Sequence, residues 1–153
     1  MASWDIGEFG RMQAGSATYM AGVIGAASGI GRTAARHLAG LGCAVACLDR
    51  DAEGCKATVA DIAQAGGTAE AFAMDVTDMD AAEQAIAAVA ARFGRIHALV
   101  NCAGVTGKTN IKGHEVDLAD FDAVYRINMR GALVVSKAVL PHMLAHDYGR
   151  LLH

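Results

Sequence analysis

Gly25-Ala26-Ala27-Ser28-Gly29-Ile30-Gly31 is the stretch on which the reading of the fold turns. It follows a short apolar run at residues 19–24 and precedes a segment in which Ile30, Ala34, Leu38 and Leu41 recur at helical spacing, closed by Gly40 and Gly42. Glycines let a backbone bend sharply and come close to a diphosphate, and a helix that starts at the bend offers free N–H groups and a positive dipole end. Arg32-Thr33 stands where a P-loop requires Lys followed by Ser or Thr, so the stretch is not a P-loop. Taken alone, it also suits a plain tight turn of an α/β protein. Gly22 weakens the preceding run as a strand.

Working outward, residues 44–48 form a second apolar run that ends at Asp49. A carboxylate at that point can accept hydrogen bonds from both hydroxyls of a ribose and repels a 2′-phosphate, so Asp49 favours NAD, with NADP the less favoured cofactor. Arg50, next to it, can pair with such a phosphate. Alternatively, Asp49 caps the following helix. That helix places Cys55, Val59 and Ile62 on one face, with Asp51 and Glu53 in its first turn, where acids complement the dipole, and Gly66-Gly67 at its end. Residues 68–74 read as a strand, and Asp75-Val76-Thr77 lead into a helix with Ala82, Ile86, Val89 and Phe93 inward, stopped by Gly94.

Residues 96–100 are a fourth strand, followed by the turn Asn101-Cys102-Ala103-Gly104 and a polar loop over 105–115. A long helix is expected over residues 117–147, kinked at Pro141, and residues 149–153 open a fifth strand. Strands alternating with helices imply right-handed crossovers and a parallel sheet covered on both faces. The expected fold is therefore a Rossmann-type, doubly wound α/β/α sandwich over residues 19–153, incomplete at its C-terminal side, behind a flexible leader at residues 1–18.

Composition excludes several classes. The chain is rich in Ala and Gly, with 54% hydrophobic residues, unlike a disordered segment. A net charge of −3 without a basic stripe argues against nucleic acid as a partner. No run is apolar for long enough to cross a bilayer, so no membrane partner is expected. Cys43, Cys47, Cys55 and Cys102 lack CxxC spacing; those beside apolar strands read as small hydrophobes, which suits a reducing cytoplasm. His142 and His146 lie four apart on the long helix but without an HExxH arrangement, so they read as a solvated face and no metal site is expected. His37, His97 and His114 are isolated, and Lys108 and Lys112 belong to a solvated loop.

The Gly25–Gly31 loop, Asp49, the pair Asp75-Val76, the Asn101–Gly104 turn and Asn128, in that order, resemble the short-chain dehydrogenase/reductase family across almost the whole chain after residue 18. The resemblance implies an NAD(P)-dependent oxidoreductase that moves a hydride between nicotinamide and an alcohol or carbonyl substrate of the sugar, hydroxyacyl or 3-oxoacyl class. It implies that Gly25, Ser28, Gly29, Ile30 and Gly31 cradle the diphosphate, Asp49 and Arg50 meet the adenosine ribose, and Asp75 and Val76 meet the adenine. Asn101, Ala103 and Gly104 would support the central strand and the cofactor's ribose. Asn128 matches the asparagine of the family's catalytic tetrad, which bends its helix and helps hold a water in a proton relay; without the resemblance it is an ordinary polar helix residue. The 117–147 helix would pack against its copy in a homo-oligomer, although burial under the sheet explains its pattern equally well.

Two departures matter. Ile24 replaces the threonine that usually precedes the first glycine, which removes one hydrogen bond near the loop and is expected to weaken its order. The family's serine and Tyr-x-x-x-Lys pair do not occur, since Tyr125 is followed by Met129 and Tyr148 by Leu152. Carbonyl reduction needs a proton donor beside the hydride acceptor, and Asn128 has no titratable group. The chain alone is therefore expected to be inactive, a piece of a parent enzyme. The alternative is a noncatalytic dinucleotide-binding or interaction module.

Overall fold

In the computed structural model, which describes residues 19–153, alternate residues of the first strand, β1 (Met20–Ile24), enter two different cores. Met20 and Ile24 join Ala46 and Leu48 of β2 (Ala44–Asp49) on one face of the sheet. Ala21 and Val23 join Val45 and Cys47 on the other. Burial on both faces is why these strands read as unbroken apolar runs. The first core is roofed by α3 (Met79–Phe93), through Ala82, Ile86 and Val89, and by α5 (Gly131–Leu144), through Val135 and Val139. The second is roofed by α1 (Gly29–Gly40) and α2 (Ala52–Gln64).

With β3 (Thr68–Ala73), β4 (Ala98–Asn101) and β5 (Arg150–Leu152), the parallel sheet has the order β3-β2-β1-β4-β5. The chain steps outward from β1 to β3, then returns to β4 on the far side of β1. The reversal between β1 and β4 opens a crevice beyond the carboxyl ends of the strands, which is where open α/β sheets take ligands. The three-layer parallel arrangement expected from the sequence is thus present. The leader expected at residues 1–18 lies outside the described residues. No helix among the described residues is long and apolar enough to cross a membrane.

Several local expectations are corrected. Of the four residues at helical spacing, Ala34 and Leu38 pack, partly buried, against the second core, whereas Ile30 is 81% and Leu41, just past the end of the helix, 43% exposed; the buried residues of α1 are Gly31, Ala35 and Ala39. At Gly31 the helix comes so close to the β1–α1 loop that a Cβ would lie 2.1 Å from the Gly25 oxygen. Gly22 does not interrupt β1, because a Cβ there would lie 2.7 Å from Leu99 Cδ1 and the glycine makes room for that leucine. The fourth strand starts at Ala98, not at residue 96, and the third ends at Ala73. A 3-10 turn, Gly113–Glu115, interrupts the polar loop.

The expected 117–147 helix is also divided. α4 (Leu118–Tyr125) runs into a π-turn at Arg126–Arg130 and then into α5, which passes Pro141 and ends at Leu144. A π-turn inserts an extra residue per turn, so one helical phase cannot describe both halves. Arg130 donates to the Thr77 carbonyl (3.1 Å), and a Cβ on Gly131 would lie 2.9 Å from Val76 Cγ2, so the rod is seated against the end of β3 at this point.

All four cysteines are free, with Cys43, Cys47 and Cys55 buried. Burial pushes the Cys47 thiol up to about 11 and, with help from neighbouring acidic groups, the Cys55 thiol up to about 12, so these thiols stay protonated and serve as packing.

The opposite, amino end of the sheet is tied by a buried histidine. His97 Nδ1 accepts the Met20 N–H (3.0 Å), and its ring stacks on Tyr19 with centroids 4.5 Å apart. Tyr148, just ahead of β5, meets the Tyr19 hydroxyl at 3.4 Å and carries the Arg95 and Arg150 guanidinium groups over its ring. Burial, then the charges of Arg95 and His146, hold His97 below its usual pKa, and an Nδ1 that accepts a proton donor must be unprotonated. The sign follows from linkage. As pH falls through about 6.5 the unfolded chain takes up a proton that the folded chain refuses, so stability present above that pH is lost below it. The thermal midpoint is expected to drop between pH 7.5 and 5.5, a window above ordinary carboxylate titration, and His97→Asn is expected to shrink that drop. An identical pH dependence in the variant would contradict this.

Candidate functional site

Two glycines of the β1–α1 loop are dictated by space. Gly25 has φ +78, and a Cβ on it would sit 2.9 Å from the Cys102 carbonyl carbon. A Cβ on Gly31 would sit 2.1 Å from the Gly25 oxygen, so α1 can begin where it does only with glycine there. The first half of the loop is bonded to its surroundings. The Gly25 and Ala26 N–H groups donate to the Leu48 carbonyl at 2.9 and 3.3 Å, and the Ala27 N–H donates to Asp49 Oδ2 at 3.2 Å.

The second half is different. Ser28 is the N-cap of α1, yet its side chain caps nothing, and the first turn of the helix holds no acidic residue. The N–H groups that every helix start leaves without a helical partner thus receive no side-chain cap from Ser28 and no acid from the first turn.

A crevice of about 480 Å³ opens at this point. Gly25 and the four residues from Ser28 to Gly31 form one wall, and Asp49 and Arg50 at the end of β2 form another. Asp75 and Val76 close it beyond β3, and Ala103 and Gly104 beyond β4. Eleven of the twelve residues expected to bind the cofactor therefore share one cavity. Asn101 is the exception. Its Oδ1 accepts the Ala103 N–H (3.1 Å) and its Nδ2 lies 3.3 Å from His153 Nδ1, so the side chain is turned back on its own turn and supports the strand end without walling the crevice.

The carboxylates of the crevice are held in distinct ways. Asp49 Oδ1 accepts the Asp51 N–H (3.0 Å) while Oδ2 takes that of Ala27. The cap of α2 is Asp51, which accepts from the Gly54 N–H (3.0 Å), so the capping alternative for Asp49 is not realised. Asp75 Oδ1 accepts both the N–H and the hydroxyl of Thr77 at 2.8 Å. Those bonds first, then the Arg50 and Arg126 charges, outweigh burial and keep the Asp75 carboxyl below its usual range.

Asn128 lies inside the π-turn. Its Oδ1 accepts the Val105 N–H (2.9 Å) and its Nδ2 donates to the Val105 carbonyl (2.8 Å), so one side chain clamps the segment after β4. It does not wall the crevice. The polar loop beyond is held by Asp120, which accepts the Lys108 N–H at 2.9 Å. Among the described residues no group of three or more His, Cys, Asp or Glu side chains is placed to hold a metal.

Sequence reasoning passed over Arg126, which joins the crevice from the π-turn, and Thr58, a buried threonine of α2 whose hydroxyl reaches the Ala26 carbonyl. The spacing Cys55, Thr58, Ile62 does place Thr58 on the inward face, but a polar residue within an apolar stripe gives no sign of its partner.

Comparison with known proteins places this geometry. The family model for short chain dehydrogenases matches residues 19–153. D-threitol dehydrogenase of Mycolicibacterium smegmatis is 39% identical over 131 residues, covering 86% of this chain and 50% of the relative. The short-chain reductase protein NovJ of Streptomyces niveus is 37% identical over 131 residues, covering 86% of this chain and 49% of the relative. The chain thus spans about half the length of the curated relatives it matches. A metagenomic short-chain oxidoreductase solved in complex with NADP superposes with a TM-score of 0.81 at 36% identity, covering 88% of this chain and 61% of that one.

Proposed function

Because the chain belongs to the short-chain dehydrogenase family, we propose that it forms the dinucleotide-binding part of an NAD-preferring oxidoreductase acting on an alcohol or carbonyl substrate of the sugar, hydroxyacyl or 3-oxoacyl class. The observation that carries this reading is the uncapped start of α1 facing the same crevice as Asp49. In the proposal the N–H groups from Ser28 to Gly31 hold the diphosphate and Asp49 takes the adenosine ribose hydroxyls. Asp75 and Val76 border the adenine, and Ala103 and Gly104 border the second ribose. A nicotinamide dinucleotide bound there supplies the hydride carrier. Asn128 serves the proton relay of the parent enzyme, and its grip on Val105 fixes the segment that leads away from the crevice.

The sequence holds no Tyr-x-x-x-Lys pair, so we assign this chain binding and not turnover. The same observation supports the second reading, a noncatalytic dinucleotide-binding module. Leu118, Met129, Leu133 and Leu144, each more than 60% exposed along the α4–α5 rod, support a homo-oligomer through this face. The free cysteines suit a reducing compartment such as the cytoplasm. The test is calorimetry with NADH on the purified chain. Binding with a Kd on the order of 0.1 mM or tighter is expected, about −5.5 kcal/mol. No heat of binding at millimolar NADH would end both readings, and reduction of a carbonyl by this chain would refute the assignment of binding without turnover.

A further inference from the structure

Resting on the proposed role of Asp49 at the ribose, we infer that Thr58 is a positioning residue: its hydroxyl holds the Ala26–Ala27 peptide, and through that peptide the Asp49 carboxylate, and so sets the preference between NADH and NADPH. Thr58 has no exposed surface and sits among the apolar residues of α2 that face the sheet. Its hydroxyl lies 3.1 Å from the Gly54 carbonyl, the local back-bond usual for a threonine within a helix. It lies closer, 2.8 Å, to the carbonyl of Ala26, thirty-two residues away in the loop. A hydroxyl has one proton to give, and the shorter contact is the one that joins two elements.

The Ala26 carbonyl and the Ala27 N–H belong to one planar trans peptide and point in opposite directions. The carbonyl meets Thr58 and the N–H meets Asp49 Oδ2, so the plane is held at both ends. Asp49 Oδ1 is set separately by the Asp51 N–H, which makes Ala27 the partner that fixes the remaining oxygen. α2 reaches the loop at close range, since a Cβ on Gly54 would lie 2.7 Å from that of Ala27. Without the hydroxyl the peptide loses one of its two anchors, its bond to Oδ2 weakens, and the carboxylate is held less firmly toward the ribose.

The experiment compares Thr58→Val and Thr58→Ser with the unaltered chain. Amide hydrogen exchange at Ala27 is expected to quicken about tenfold in T58V, the loss of one net hydrogen bond, and to stay unchanged in T58S. By calorimetry, T58V is expected to bind NADH about tenfold more weakly while NADPH changes much less, so the affinity ratio moves; T58S restores it. A purely structural role would lower both affinities together or only the thermal midpoint. A folded T58V with unchanged Ala27 exchange, or with an unchanged NADH to NADPH ratio, overturns the inference. Should T58V fail to fold, Thr58→Ala removes the same hydroxyl without adding a methyl against Ala26 and is read by the same two measurements. If the unaltered chain binds neither dinucleotide, the ribose reading of Asp49 fails and the inference with it, whereas Ala27 exchange still reports separately on the link from Thr58 to the peptide.

Discussion

Gly31→Ala is expected to lower both the stability of this chain and its affinity for a dinucleotide more than any other single-methyl change in the loop. The added carbon would lie 2.1 Å from the Gly25 oxygen, 2.6 Å from the Gly25 carbon and 3.1 Å from the Ala26 nitrogen. All three are backbone atoms, so no side chain can swing aside. Either α1 slides away from the loop or the loop leaves the end of β1, and each disrupts packing around Ala35 and Ala39. Overpacking of this kind costs about 2–4 kcal/mol, or roughly 5–15 °C in the thermal midpoint of a domain this size.

Because the same shift displaces the uncapped N–H groups, NADH affinity should fall by about 100-fold, a further expression of strain and not a lost contact. Gly29→Ala is the control. Nothing lies within 4 Å of a Cβ there, but φ is +53, so only the conformational penalty of about 1 kcal/mol applies. Melting curves on the two variants separate lack of space from lack of conformational freedom, and calorimetry is read on G31A, because Gly29 is itself one of the residues proposed to hold the diphosphate. A G31A chain that melts and binds like the unaltered one would mean that α1 does not pack on the loop as described.

Asp49→Ser should invert the cofactor preference. In the structure the carboxylate is half-buried, bonded through both oxygens to backbone N–H groups, and adjacent to Arg50 on the crevice wall. Two like charges about 4 Å apart near a protein surface repel by up to about 4 kcal/mol, reduced by salt and solvent. Removing the carboxylate leaves Arg50 to meet a 2′-phosphate unopposed and leaves the ribose hydroxyls with a weaker acceptor. NADH binding should weaken about tenfold and NADPH binding should strengthen about tenfold, a change of about 100-fold in the ratio. The gain for NADPH should shrink as salt rises, because Arg50 is exposed. Equal ratios before and after substitution would remove Asp49 from the ribose.

What the sequence disclosed and what it hid have separate physical causes. The change of hydrophobic period along the chain marks five strands and their crossovers because burial on both faces leaves its pattern in composition. The place of Asp49 on the crevice was legible because a strand end in a parallel sheet has one known destination, the carboxyl edge, whereas the Asp75-Val76 pair was named through the family resemblance. The helical spacing at α1 includes Ile30 and Leu41, which are exposed, because periodicity weighs hydrophobic bulk, whereas the contact at Gly31 is decided by how close two backbones come. The π-turn around Asn128 was invisible because an extra residue in a helical turn changes no residue type. The bonds of Asn128 to Val105 and of Thr58 to Ala26 join elements far apart in the chain, and hydrogen bonds between a side chain and a distant backbone leave no spacing to recognise.

The division of the β1–α1 loop into a bonded front and an open rear has a thermodynamic consequence. Residues 25–27 are ordered by contacts made when the sheet forms, so the chain gives up its freedom there during folding and not when a guest molecule enters. Docking of a diphosphate then requires removal of water from amides that already stand in place, with little rearrangement of the host. Such a receptor separates recognition from refolding, because the front of the loop is in place before a guest enters.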